Sequence, residues 1–418
     1  MFKHMLYGCS MMSGTRILFL SELFYPHGSG GELATFLYAK LLSKAGFNVV
    51  VVTNRFVSES QISKDENLIV YRLPLFEESK GNKYLMLQRF DILVSGFMKK
   101  LIKWADLVYI PRYWYSVIPL AKAYGRPVIV HLHGYLPICP LSISYDISKN
   151  AICNRNFLCS TRCIHMFDRA SGRSLAESLK SLFLNTILKP FFASTLNLSD
   201  AIICVSKSQR NILIRRAPSL RAKTHVIYNP LPELPYTDIE GNGFGYFGGS
   251  HPLKGFHVLC RALAYARANE GNIALMVHAA GVENGTLNHS KWMERLGIIS
   301  YKRLDRIQVE KIYSQIRGVV IPSLLPETYS YVACEASLKG RVVIASDIGG
   351  IPEVLNGCPG AFLFRAGDYK QLADKMIAVK DLSRETVADL GLRNREVILK
   401  KFDNRQIIGE FTNLLLTL

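Results

Sequence analysis

Val319 to Glu353 reads VVIPSLLPETYSYVACEASLKGRVVIASDIGGIPE, and the punctuation of this stretch decides the fold. Val319, Val320 and Ile321 are a short β-branched run, Pro322 to Pro326 interrupt it, and a patterned segment follows up to Gly340. That order predicts strand, loop and helix. Arg341 to Ser346 predicts a second buried strand. Gly349, Gly350 and Pro352 then predict a tight turn into a helix with proline in its first turn. Two buried strands joined by a helix form a βαβ unit, so a parallel sheet is expected.

Two carboxylates frame the unit. Glu327 sits in the loop after the first strand, and Glu335 lies about two turns further along at ~3.6 residues per turn. Open α/β sheets bind ligands beyond the carboxyl ends of their strands, where both side chains could face. A lone pair of glutamates is more often a solvated helix face. Here the surrounding pattern carries more information. Glu327, seven residues, Glu335, then Ala336-Ser337, a strand and Gly-Gly-Ile-Pro-Glu resembles the donor-site signature of glycosyltransferase family four, retaining enzymes of the GT-B fold. The resemblance implies an α/β chain of two doubly wound Rossmann-like domains facing a central cleft. It extends from Arg16 to the final helix.

Length agrees, because 418 residues exceed what one hydrophobic core usually holds. With 49% hydrophobic and 20% charged residues, long disorder is not expected. Nine cysteines, an odd number scattered along the chain, do not resemble a secreted disulfide framework, so a reducing, cytoplasmic compartment is expected. The opening residues have one lysine and a broken apolar run, a poor signal peptide; Met11 or Met12 are alternative starts. No window of ~18 apolar residues escapes a charge or proline, which argues against a transmembrane helix.

The net charge of +18 is unevenly placed. Residues 1–229 hold 29 Lys and Arg against 13 Asp and Glu, whereas 230–418 hold 22 against 20. The first half is therefore expected to face something anionic. Lys207 to Lys223 carries six basic residues and no acidic one. With the apolar segment Leu182 to Leu198, it is the expected contact with an anionic membrane surface.

Arg16–Glu22, a glycine-bearing loop, a helix over Glu32–Lys44 and Phe47–Thr53 predict the first βαβ unit. Gly30 and Gly31 would let backbone amides approach a ligand, with a plain strand-to-helix turn as the alternative. Leu107–Ile110 and Pro127–Leu132 predict further strands, the second running into HLHGY. His131 and His133 share a strand face, and His133 stands at the carboxyl end. Cys139, Cys153, Cys159 and Cys163 could coordinate one tetrahedral zinc, with free thiols or a disulfide as the alternatives. Ser174–Leu188 predicts a helix, Asp200–Ser206 a strand, and Val226–Asn229 the last strand of this half. Pro230–Tyr236, with three prolines, reads as a linker. The resemblance implies a division into 1–230, an acceptor-side domain joined by a crossover helix at about 400–418, and 240–399, a donor domain.

In the second half, FGYFGGSHPLKGF predicts a strand, a glycine loop and a helix start where Lys254 could meet a phosphate. Ile273–Ala279 and Leu296–Ser300 predict further strands, and Arg395–Leu418 helix.

The resemblance further implies roles. Glu327, His133 and Lys254 would be catalytic. Gly248, Gly249, Lys254, Thr328, Tyr329, Ser330 and Glu335 would bind the donor, with Glu335 on ribose hydroxyls. Gly30 and Gly31 would lie beside acceptor and phosphate. Gly249 departs from the family, which usually has arginine there. The expected donor is a nucleotide-diphosphate sugar. The expected acceptor is a glycan or lipid-linked molecule, met by a peripheral enzyme on the inner membrane face without a catalytic metal. An epimerase of the same fold and a non-catalytic basic scaffold are the rival readings. Nucleic acid is not an expected partner, since no recognised nucleic-acid-binding pattern is present.

Overall fold

The computed structural model describes residues 14–57, 59–76, 90–139, 141–154, 161–170, 194–269, 275–282, 287–302 and 304–418, with isolated positions between 174 and 183. Most of the expected helix over 174–188, much of the apolar segment 182–198, and Cys159 lie outside the described residues.

Two sheets organise the chain. The first holds β1 (Arg16–Leu20), β2 (Asn48–Asn54), β3 (Ile62–Asp65), β4 (Leu68–Leu73), β5 (Leu107–Ile110) and β6 (Val128–Leu132), while β7 (Tyr145–Asp146) and β8 (Ala151–Ile152) pair separately. It is completed by β9 (Ala201–Cys204) and β10 (Thr224–Val226), in the order β10-β9-β6-β5-β1-β2-β4-β3. The second sheet holds β11 (Gly243–Tyr246), β12 (Val277–Ala280), β13 (Ile298–Tyr301), β14 (Ile316–Ile321), β15 (Val342–Ser346) and β16 (Ala361–Phe364), in the order β13-β12-β11-β14-β15-β16. Every pairing in these two sheets is parallel except β3 with β4. In both, the order reverses at the middle of the sheet, where doubly wound folds place their ligands.

Strands β2, β14 and β15 are buried almost throughout, on both faces, as expected of central parallel strands. A cluster that includes Tyr38, Tyr109, Tyr329, Tyr331, Phe402 and Phe411 joins the facing sides of the two domains. Separate clusters cover the outer sides of the two sheets. The helices Arg384–Lys401 and Asn404–Leu415 return the chain to the first domain, where Phe411 meets Tyr38 and Tyr109 at 5.6 and 5.7 Å. Asn404 bonds both the amide and the carbonyl of Leu231, fastening the linker to the returning segment.

Several boundaries move. The helix expected from Glu32 begins at Gly30, because Ser29 and Glu32 close a reciprocal capping box. The strand expected over Val226–Asn229 is Thr224–Val226, the three residues in register with Ile202–Cys204. Strands Val277–Ala280 and Ile298–Tyr301 stand where Ile273–Ala279 and Leu296–Ser300 are expected, residues 273 and 274 lying outside the described ones. The antiparallel edge strand β3 was not expected; its mostly exposed ISKD sequence lacks an apolar run.

Candidate active site

A cleft of about 450 Å3 opens between the carboxyl ends of the two sheets. Gly30, Gly31 and His133 line it from the first domain. Gly248, Lys254, Glu327, Thr328, Tyr329 and Ser330 line it from the second. The sequence-predicted set is thus largely brought together.

The second-domain wall is built by close backbone approach. Gly255 has a left-handed φ of 79°, and a Cβ there would lie 1.8 Å from the Pro322 carbonyl oxygen. Only glycine fits. The Leu324 amide donates to the Leu253 carbonyl at 2.9 Å, so the turn Pro252–Lys254 and the loop after β14 are stitched side by side. Lys254 Nζ consequently reaches Glu327 Oε1 at 2.7 Å, and Ser323 Oγ donates to the same oxygen at 2.8 Å. The Gly350 amide donates to the Glu327 carbonyl at 2.6 Å, and a Cβ at Gly349 would lie 2.5 Å from the Glu327 backbone. The Gly-Gly turn is therefore the floor under Glu327.

Thr328 Oγ1 donates across the cleft to the His133 carbonyl at 3.2 Å. Ser330 caps the helix Tyr331–Leu338, accepting from the Ala333 amide. Tyr329 is core, with its ring against Tyr331 and Phe402. Tyr331 Oη donates to the Pro230 carbonyl at 2.8 Å, tying this helix to the linker.

Gly249 and Glu335 are not among the lining residues of this cleft. Gly249 adopts φ 71°, and a Cβ on Gly281 would come within 3.1 Å of its Cα. The loop thus follows a path suited to glycine. Glu335 lies one turn into its helix, because that helix starts only at Tyr331. It faces a second cavity of about 550 Å3 with Leu304, Tyr313, Lys339 and, from the first domain, Phe36 and Lys40. Burial pushes its carboxyl up to about 7, with Lys339 acting in the opposite sense.

On the first-domain wall, His131 is fully buried and pairs with the Tyr109 hydroxyl, so it belongs to the core. His133 stacks on it at 4.5 Å, and its buried Nε2 has no protein partner among the described residues. Burial, then the neighbouring Arg112 charge, pushes the His133 imidazole down to about 3, which keeps it neutral. Gly31 packs against this ring: a Cβ there would sit 3.1 Å from His133 Cβ.

Sequence reasoning missed three charged groups behind this wall. Arg112 Nε bonds Glu22 Oε1 at 2.5 Å, and its other arm pairs with Glu32. Both carboxylates are almost wholly buried. Glu22 and Arg112 each stand just past a strand, β1 and β5, and that strand-end position was the available signal.

Three of the four cysteines of the zinc expectation are described, and Cys159 lies outside the described residues. Cys139 and Cys163 are buried and Cys153 is half-buried, while Cys163 Sγ donates to the Tyr145 carbonyl. Among the described residues no three metal-ligating side chains converge. The basic run is also partly committed. Arg210 donates to the Thr224 carbonyl, Arg216 is buried against Ser144 Oγ, and Lys223 donates to the Asn197 and Ser199 carbonyls. Among the described residues no helix is long and apolar enough to cross a membrane.

Two family models match the chain: Glycosyltransferase Family 4 over residues 28–232 and Glycosyl transferases group 1 over residues 241–381. No curated protein matches it in sequence. Among solved structures, sucrose-phosphate synthase from Thermosynechococcus elongatus superposes with a TM-score of 0.67 at 15% identity, covering 96% of this chain and 99% of that one. Anabaena HepE, in complex with UDP and glucose, gives 0.62 at 18% identity over 97% and 100%. Trehalose-6-phosphate synthase OtsA gives 0.62 at 11% identity over 96% and 99%. The same two halves that meet at the cleft are the two halves those models recognise, and the chain belongs to the GT-B glycosyltransferases of family four.

Proposed function

We propose that this enzyme transfers a hexosyl group, with retention, from a nucleotide-diphosphate sugar to a glycan or lipid-linked acceptor at the cytoplasmic face of a membrane. The observation that carries the reading is the Lys254–Glu327 pair at 2.7 Å, set in a cleft between two glycine-lined walls. UDP is the first donor nucleotide to test, because HepE is described in complex with UDP and with UDP-glucose.

In this reading the diphosphate lies along Gly248 and the first amides of the helix Tyr331–Leu338. Lys254 and those amides meet the charge that develops as the bond from the anomeric carbon to the diphosphate oxygen breaks. Glu327 faces the transferred sugar. Neutral His133 offers its unpaired Nε2 to a sugar hydroxyl. Glu335 is assigned to the ribose hydroxyls by the family pattern, and because it stands on the adjoining cavity the reading requires the nucleoside to reach it there. Retention requires either a covalent glycosyl–carboxylate intermediate or entry of the acceptor on the departing side. The protein's own cations make transfer independent of a catalytic metal. The cysteine group, with Cys159, is proposed to hold a structural zinc on the strength of its spacing. The basic first domain supports an anionic membrane as the surface where the acceptor is met.

The test is donor turnover with a panel of nucleotide sugars, followed by the anomeric configuration of the product. Release of nucleoside diphosphate with a retained anomer supports the reading. A rearranged nucleotide sugar without transfer would make the chain an epimerase, and no turnover of any donor would leave a binding scaffold.

A further inference from the structure

One carboxylate outside the cleft joins the two domains. Glu353, in the short helix Ile351–Leu355 after the Gly-Gly turn, accepts from the Lys207 amide at 2.9 Å, the Ser208 amide at 3.1 Å and the Tyr228 hydroxyl at 2.7 Å. All three donors belong to the first domain or its linker. The two amides open the helix Lys207–Arg216, whose dipole favours an anion there, and this anion is supplied by the other domain. Lys401 bonds the Glu353 and Asn356 carbonyls, fixing the short helix from behind.

Each end of this contact leads to a residue of the cleft. On the donor side, the short helix follows the Gly349-Gly350 turn that bonds and supports Glu327. On the acceptor side, Gln209 in the contacted helix donates from Nε2 to the Leu132 carbonyl at 2.9 Å and the Gly134 carbonyl at 3.1 Å. Those carbonyls flank His133. A rigid path therefore runs from the Glu327 loop through Glu353 to the His133 loop.

We propose that Glu353 is a positioning residue that sets the register of the two domains, holding the Glu327 loop opposite the His133 loop in the geometry used for transfer. The inference rests on the transferase reading. A carboxylate is suited to the task because its two oxygens accept from two successive amides and a hydroxyl together, which a shorter or apolar side chain cannot do. Misplacing reacting groups by about 1 Å costs on the order of 100-fold in rate, so a small loss of register would be visible in turnover.

The experiment compares wild type, Glu353→Ala, Glu353→Gln and Tyr228→Phe, with UDP-glucose as donor probe and UDP as ligand probe. Glu353→Ala should lower kcat by about 10-fold to 100-fold while KM for the donor and Kd for UDP stay within about threefold. Glu353→Gln, which keeps one accepting oxygen, should recover part of the loss, and Tyr228→Phe should lose less than Glu353→Ala. Small-angle scattering should show Glu353→Ala more open than wild type in the presence of UDP. That readout needs no turnover, so an inactive wild type would count against the transferase reading while scattering still decides the inference. Unchanged kcat, or unchanged scattering, in a Glu353→Ala protein that melts like wild type would overturn it.

Discussion

Lys254 Nζ stands 2.7 Å from Glu327 Oε1, so the cation assigned to the departing diphosphate is held by the carboxylate assigned to the sugar. Each neutralises the other. A bound diphosphate brings further negative charge, and Lys254 would then be shared between phosphate and Glu327. Removing Lys254 should therefore cost most when leaving-group charge is greatest. Lys254→Ala is expected to lower kcat by about 10²-fold to 10³-fold, the scale seen when one charge-stabilising donor is removed. Glu327→Ala should reduce turnover more than UDP affinity, and Glu335→Ala should do the reverse. Steady-state kinetics paired with calorimetry measures both, and equal UDP binding by wild type and Glu335→Ala would refute the ribose assignment.

Glu335 also gives a pH signature. Its carboxyl is raised to about 7 by burial. A carboxyl raised by folding adds stability below its unfolded value of about 4.3, and that contribution is lost as pH rises through about 7. The ligand-free protein should accordingly lose melting temperature between about pH 5 and about pH 8 by a margin that Glu335→Gln abolishes. Ribose binding acts in the opposite direction, since hydroxyls donate to the ionised form. UDP binding near neutral pH should expel a proton, seen as a dependence of the calorimetric heat on buffer ionisation enthalpy. His133, pushed down to about 3, should contribute no limb near neutral pH.

Much of this site was legible because the chemistry sits where the chain changes structure. Val319–Ile321, the proline-rich break and the Gly349-Gly350 turn fix a βαβ unit from local rules alone, and Glu327 falls at a strand end. Glu335 was harder. Its facing depends on where the helix begins, and Ser330 starts it four residues later than the proline break suggests. Arg112 with Glu22 and Glu32 was legible only as separate strand-end and helix-start positions, because the three ends meet only in the folded sheet, with 90 residues separating Glu22 from Arg112. Glu353 carries no local sign that its partners are amides more than 140 residues earlier.

Arg112 offers a stability test. It is the cation between two nearly fully buried carboxylates, and truncating it leaves both without their ion-pair partner. Breaking such a group typically costs about 3–5 kcal/mol. Arg112→Ala should melt well below wild type, and adding Glu32→Gln should restore part of the loss. An Arg112→Ala protein with wild-type melting temperature would show that water or another cation compensates.

The metal proposal makes a separate claim. Protein purified without a histidine tag should carry about one zinc per chain, and Cys153→Ser should lower that ratio, if the four cysteines form the site. Transfer activity should survive chelation of Mg2+ and Mn2+. Elemental analysis with zinc far below one per chain would remove the structural site without touching the catalytic reading.

The membrane proposal is sharpened by which cations are free to act. Of the six basic residues between Lys207 and Lys223, three are spoken for: Arg210 and Lys223 hold backbone carbonyls, and Arg216 is buried against Ser144. Lys207, Arg215 and Arg221 are exposed. A basic residue near an anionic surface contributes roughly 1 kcal/mol, so neutralising these three should weaken binding to anionic liposomes by about 10²-fold. Neutralising Arg216 and Lys223 should instead lower the melting temperature, since their partners are internal. Co-sedimentation with neutral and anionic vesicles at low and high salt provides the measurement. Surface attraction of this kind is screened within about 10 Å at ~0.1 M salt, so binding must fall as salt rises. Binding that ignores lipid charge, or that persists unchanged in the Lys207, Arg215 and Arg221 triple variant, would move the contact elsewhere on the first domain.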